Sequence, residues 1–140
     1  MWVFGLEDTS HTPALGYVQI VQCRDAATLL PIIQKHVHSG TEIHSDQWRA
    51  YRRVAALPPV SSHSTVNHSL SFVDPLTGTH TQHIESYWNR VKLKLKRMKG
   101  CHSHQIPSYL DEFMWKERYG QTSGSKWTNI LNDIATQYPV

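Results

Sequence analysis

Apolar, aromatic and β-branched residues open the chain in two short runs, Trp2-Val-Phe-Gly-Leu6 and Gly16-Tyr-Val-Gln-Ile-Val21, with the turn formers Asp8, Thr9, Ser10 and Pro13 between them. Runs of this length between turn formers predict strands, here joined as a hairpin. Leu29, Ile33 and Val37 then recur every four residues. This predicts a helix capped by Asp25, carrying Pro31 near its first turns and ended by Ser39-Gly40. Thr41-Glu-Ile-His-Ser45 is too short for a helix and predicts a strand that ends at Asp46, followed by a short helix over 48–54. Pro58-Pro59 imposes an extended break, and 64–68 predicts another short strand before the turn-rich Asp74-Pro-Leu-Thr-Gly78.

The longest periodic stretch comes next. Ile84, Trp88, Val91, Leu95 and Met98 step by four and three along one helical face, and Thr79 with Gln82 fits a capping box. Lys92-Leu-Lys-Leu-Lys96 alternates with period two, but five residues do not outweigh the longer 3.6-residue pattern that contains them. A further helix is expected from Pro107 through Leu110, Phe113 and Met114 to Gly120. After a Ser123-Gly-Ser linker, Trp127, Ile130, Leu131 and Ile134 propose a last helix. Strands alternating with helices make the fold class α/β.

A chain of 140 residues with 39% hydrophobic and 18% charged residues has the length and composition of one water-soluble folded domain. No run approaches the ~18 apolar residues of a spanning helix, and no basic-then-apolar leader opens it, so neither a membrane nor secretion is expected. Two cysteines, Cys23 and Cys101, make one bridge at most, which suits a reducing compartment. The net charge of +3 names no partner by itself. Its distribution says more: Arg90, Lys92, Lys94, Lys96, Arg97 and Lys99 are six of the 14 basic residues, with no acid among them. Such a concentration suits phosphate-backbone contact, and Glu85, Asn89, Lys92 and Lys96 share one helical stripe. A solvated helix face is the ordinary alternative.

Two acids, Asp46 at a strand end and Glu85 on the long helix, stand on elements that can converge, the arrangement in which carboxylates hold Mg²⁺ for phosphodiester chemistry. Spacing alone says little, since paired acids are common. The words around them are more specific: Gly40-Thr-Glu-Ile-His-Ser-Asp46-Gln-Trp48-Arg-Ala-Tyr51, Val66-Asn-His68, Phe72-Val-Asp-Pro75, His80-Thr-Gln82-His-Ile84-Glu85-Ser-Tyr-Trp88 and Tyr109-Leu-Asp-Glu-Phe113. Together with the Ala27-Thr-Leu-Leu-Pro31 helix opening, this ordered set resembles the ISXO-like, Merlin-type DDE transposases, over roughly residues 2–120.

The resemblance implies an RNase H-like α/β fold, with a mixed sheet and flanking helices, in which three acids bind Mg²⁺ or Mn²⁺ for DNA strand cleavage and transfer. Asp46 matches the family's second acid and Glu85 its third. The first belongs to a strand upstream of the one matching 2–6, so metal binding by the remaining pair is expected to be weak. Glu7, Asp8 and Asp25 could stand in for it, but each has an ordinary reading as a turn carboxylate or N-cap. A sheet lacking that strand would expose an edge, which makes a second copy of the chain a candidate partner beside DNA.

The DNA-facing residues expected are Arg90, Lys92, Lys96, Arg97 and, for base stacking, Trp48; Tyr51, Trp88 and Trp115 read as core aromatics. Cys101-His-Ser-His104 lacks a second ligand pair for zinc, and His68 and His80 recur within the resemblance as candidates for site hydrogen bonds. Residues 1–120 form the expected core, with 121–140 as linker and helix of the same domain. The leading function is a transposase catalytic core that binds DNA, located in the nucleus of a eukaryote or the cytoplasm of a bacterium. The alternative is a catalytically inactive, transposase-derived DNA-binding or protein-interaction domain.

Overall fold

Eight main elements follow one another in the computed structural model, which describes residues 1–71 and 73–139. They are β1 (Trp2–Asp8), β2 (Leu15–Val21), α1 (Ala26–His36), β3 (Thr41–Asp46), β4 (Val60–Val66), α2 (Gln82–Arg97), α3 (Ile106–Tyr119) and α4 (Ser123–Gln137). A 3-10 helix, Arg49–Ala56, links β3 to β4, and a shorter one, Ser103–Gln105, precedes α3. The α/β class is therefore as expected. The single mixed sheet is not what the described strands form: β1 pairs with β2 and β3 with β4, in two separate two-stranded sheets. Strand pairing is a non-local hydrogen-bonding choice, and local alternation carries no information about which edges meet.

The chain divides into two compact units, one of residues 1–4 and 20–86, the other of 5–19 and 87–140. In the first, Asp25 Oδ1 accepts from Thr28 N at 2.8 Å and caps α1. The helix stops at His36, before the expected Ser39-Gly40, because Val37 turns extended while its N–H still donates to Ile33 O. Leu29 and Ile33 of α1, Ala50 and Val54 of the 3-10 helix, and Val60 and Val66 of β4 are buried, and α1 packs on the 3-10 helix, which packs on β4. β3 and β4 run parallel, from Thr41↔Val60 to Asp46↔Val66, with a register shift between Thr41 and Glu42. Parallel neighbours need a long crossover, which the 47–59 connection supplies. β4 starts four residues earlier than the apolar pattern suggests. Its Val-Ser-Ser-His-Ser segment has little strand propensity of its own and is extended because β3 offers it a ladder.

In the second unit the core is Val18 of β2, Tyr87 and Val91 of α2, and Leu110 and Phe113 of α3. The α2 face differs in detail from the periodic expectation. Tyr87 and Val91 are buried, whereas Trp88, Leu95 and Met98 are half-buried. The helix begins at Gln82, so the expected Thr79–Gln82 capping box does not form, and the Thr79 hydroxyl instead accepts from Thr77 Oγ1. α4 begins at Ser123, inside the expected linker, because Thr122 and Ser125 form a reciprocal capping box.

Candidate functional site

Asp46 is the last residue of β3, at the carboxyl end of a parallel strand, where ligands characteristically bind in α/β proteins. Its Oδ1 accepts from Trp48 N at 3.0 Å, which turns the chain sharply out of the strand. Trp48 Nε1 donates to the Arg24 carbonyl at 3.0 Å. The Arg24 guanidinium lies 4.0 Å over the Trp2 ring and 4.6 Å over the Trp48 ring, both of them exposed. Tyr51 is pushed up to about 12, by burial first and then by the Asp46 charge, with Arg24 pulling the other way. Its hydroxyl thus stays protonated beside Asp46 at any physiological pH.

Glu85 sits in the first turn of α2, where a carboxylate is favoured by the helix dipole. Its Oε1 accepts from the Thr81 hydroxyl at 3.2 Å and lies 3.7 Å from His68 Nδ1. The Thr81 oxygen is also 2.8 Å from His68 Nε2. Since the single hydroxyl proton goes to Glu85, His68 Nε2 is the donor to Thr81. His68 follows β4 by two residues, and β4 ends on Val66, the ladder partner of Asp46. Strand spacing and chain reach therefore hold the Asp46 and His68 backbones within about 12 Å of each other. Both acids belong to the first unit and to the same end of the β3–β4 pair. His68, named in the sequence only as a recurring histidine, holds Thr81 and stands beside Glu85, two residues past the end of β4. Its signal there was the Val66-Asn-His68 motif.

The substitutes for a third acid are otherwise engaged. Asp25 caps α1, and Asp8 Oδ1 accepts from Ser10 N and Oγ, which hold its carboxyl below the usual range. Glu7 pairs with Arg90. His80 packs its ring 5.3 Å from that of His83, and the His102 and His104 rings stack at 5.5 Å. Asp46 and Glu85 offer the hard oxygen donors that Mg²⁺ or Mn²⁺ prefers, so the donor chemistry fits. The number does not, because no group of three or more His, Cys, Asp or Glu able to hold a metal ion is gathered among the described residues.

The basic residues of 90–99 separate into two sets. Arg90 Nη2 pairs with Glu7 at 3.3 Å and Nε with Glu117 at 3.1 Å, while Lys94 Nζ pairs with Glu112 at 2.6 Å and donates to Tyr109 O. Lys92, Lys96, Arg97 and Lys99 are exposed and have no acidic partner among the described residues. All four lie on the part of the chain belonging to the second unit.

The family model of the ISXO2-like transposase domain matches residues 1–118. The chain belongs to the ISXO2-like transposase family. An uncharacterized transposase-like protein of Haemophilus influenzae is 29% identical over 118 residues, which cover 84% of this chain and 91% of that protein. No solved structure matches. Membership in the ISXO2-like family supports a transposase-related function, and no helix among the described residues is long and apolar enough to cross a membrane. The motif residue Phe72 lies outside the described residues.

Proposed function

We propose that the chain is the DNA-handling core of an ISXO2-like transposase, built on an RNase H-like plan, with 121–140 as an extension of the same domain. Asp46 and Glu85 are its catalytic carboxylates. The observation that carries DNA binding is the set of exposed, unpaired cations on and just after α2. Lys92 and Lys96 are spaced i, i+4, where like charges cost a helix a few tenths of a kcal/mol. Lys99 holds a φ of 54°, a left-handed conformation costing a side-chain-bearing residue about 1–2 kcal/mol. A phosphate backbone supplies the counter-charge that offsets the Lys92–Lys96 repulsion, whereas the Lys99 conformation belongs to the end of α2, where its N–H donates to Lys96 O at 3.0 Å.

Replacing Lys92, Lys96 and Arg97 together by Gln is expected to weaken binding to duplexes of unrelated sequence alike, on the order of 10- to 100-fold near 0.1 M salt. It should also flatten the plot of log affinity against log salt by about three units, since each lost phosphate contact removes nearly one. Fluorescence anisotropy across a salt series measures both. Unchanged affinity and slope would return the cluster to a solvated face.

Asp46 and Glu85 would contribute two of the ligands of a divalent ion whose chemistry, in a site with a third acid, would be to activate a water and stabilise the leaving oxygen of the phosphodiester. This chain's own part is to hold the two carboxylates, with Thr81 and His68 fixing Glu85. Two carboxylates without a third ligand position an ion poorly, so the purified 140-residue chain is expected to nick supercoiled DNA no faster than its Asp46→Asn and Glu85→Gln variants, in Mg²⁺ or Mn²⁺. Nicking that both substitutions abolish would overturn this and send the search for a third ligand to Glu7, Asp8 and Asp25.

A further inference from the structure

α4 presents its two sides in an order that its own chain does not explain. It is fastened to α3 through its polar stripe. Trp115 Nε1 donates to Asp133 Oδ2 at 2.7 Å, Asn129 Nδ2 donates to the Tyr119 carbonyl at 2.7 Å, and the Lys126 stem lies against Gly120. The apolar stripe faces outward: Trp127 is 70% exposed, Ile130 38%, Leu131 49%, Ile134 50% and, just past the helix end, Tyr138 69%. No residue of α4 is buried. Positions 127, 130, 131, 134 and 138 have the three- and four-residue spacing of a helix–helix seam. The helix does not need a partner to start, because the Thr122–Ser125 capping box already satisfies its first turn. The stripe also lies wholly beyond residue 118, where the family match ends.

We propose that this stripe is a self-association surface, on which α4 of one copy packs antiparallel against α4 of a second copy of this chain. Charge and area both select that occupant. The only charged residues of α4, Lys126 and Asp133, lie on the flank turned to α3, so the stripe meets its own image without repulsion. It offers no cation to an anionic lipid surface and no charge to an acidic or basic partner. Two partly exposed aromatic and three partly exposed aliphatic side chains present on the order of 500 Å² of apolar surface. Pairing two copies thus buries up to about 1,000 Å², the lower limit for a specific interface, which makes the pairing weak and concentration-dependent. The stripe is also self-complementary in register: an antiparallel pairing that places Leu131 opposite the partner's Ile134 places Trp127 opposite the partner's Tyr138.

The test uses the full chain without DNA, so its outcome is independent of the proposed function. Light scattering coupled to size exclusion, from about 1 to 100 µM protein, is expected to show a mass rising to twice 16.1 kDa. Trp fluorescence should shift to the blue over the same range. The double variant Leu131→Glu with Ile134→Glu is expected to keep the monomer mass at every concentration with an unchanged far-ultraviolet spectrum, since both positions are exposed. If that variant loses helicity, Trp127→Lys takes its place with the same expectation. A wild-type chain that stays monomeric throughout, even one that binds vesicles or another protein, overturns the proposal. So does a dimer that persists in the folded variant.

Discussion

Gly16→Ala is expected to destabilise the protein by about 3 kcal/mol, the upper end of overpacking costs and a large share of a typical stability of 5–15 kcal/mol. A Cβ at this position would stand 2.1 Å from Cε2 and Cζ of Tyr87 and 2.5 Å from its hydroxyl oxygen. The ring has nowhere to retreat. Tyr87 is 0% exposed and packs against Phe113 with ring centroids 5.6 Å apart. Gly16 is not in the left-handed backbone region, so the whole cost is steric. Gly40→Ala provides the contrast: there φ is +83° with no atom within 4 Å, and the cost should be only the backbone term of about 1 kcal/mol. Urea unfolding should show a lower midpoint for both variants at unchanged slope, with the larger fall at Gly16. Equal falls would mean that the Tyr87 ring moves freely.

Arg90→Met is expected to cost about 2–3 kcal/mol of stability while leaving the DNA affinity of the folded protein nearly unchanged. The Glu7 side chain is 4% exposed, its Oε2 is buried without a hydrogen-bond partner, and Arg90 stands 3.3 Å from its Oε1. Met preserves much of the aliphatic stem but leaves a buried carboxylate without its counter-charge. Breaking a fully buried pair costs about 3–5 kcal/mol, and the figure is smaller here because the Arg90 side chain is 42% exposed. Adding Glu7→Gln to Arg90→Met should recover part of the loss, because the stranded charge is then gone. Thermal or urea unfolding of the single and double variants measures this. If Arg90→Met keeps its stability and loses DNA affinity instead, Arg90 belongs to the nucleic-acid surface with Lys92, Lys96 and Arg97.

Arg90 illustrates how far the sequence could be read. A run of six cations is visible as a run, but which members pair internally depends on Glu7 and Glu112, which lie 83 and 18 positions from Arg90 and Lys94. No local pattern encodes such distances. Tyr87 was missed for a related reason. It lies outside the Ile84, Trp88, Val91, Leu95 and Met98 stripe, and its burial is decided by the space that Gly16 leaves on another element.

The sequence by itself determined the helices with sustained 3.6-residue periodicity, the Asp25 cap, the Gly120 stop and the placement of Asp46 at a strand end and Glu85 on a helix. These follow from interactions within a few residues along the chain, which propensity, capping and periodicity describe directly. Only the tertiary structure decided that β4 starts at Val60, that the strands form two pairs, that His68 and Thr81 meet at Glu85, and that α4 turns its apolar stripe outward. In each of these the deciding partner is remote in sequence: a free backbone edge, a side chain from another element, or a neighbour whose polar groups hold the wrong side of a helix. Periodicity predicts that a helix has an apolar face, but what covers that face is fixed by where the rest of the chain goes.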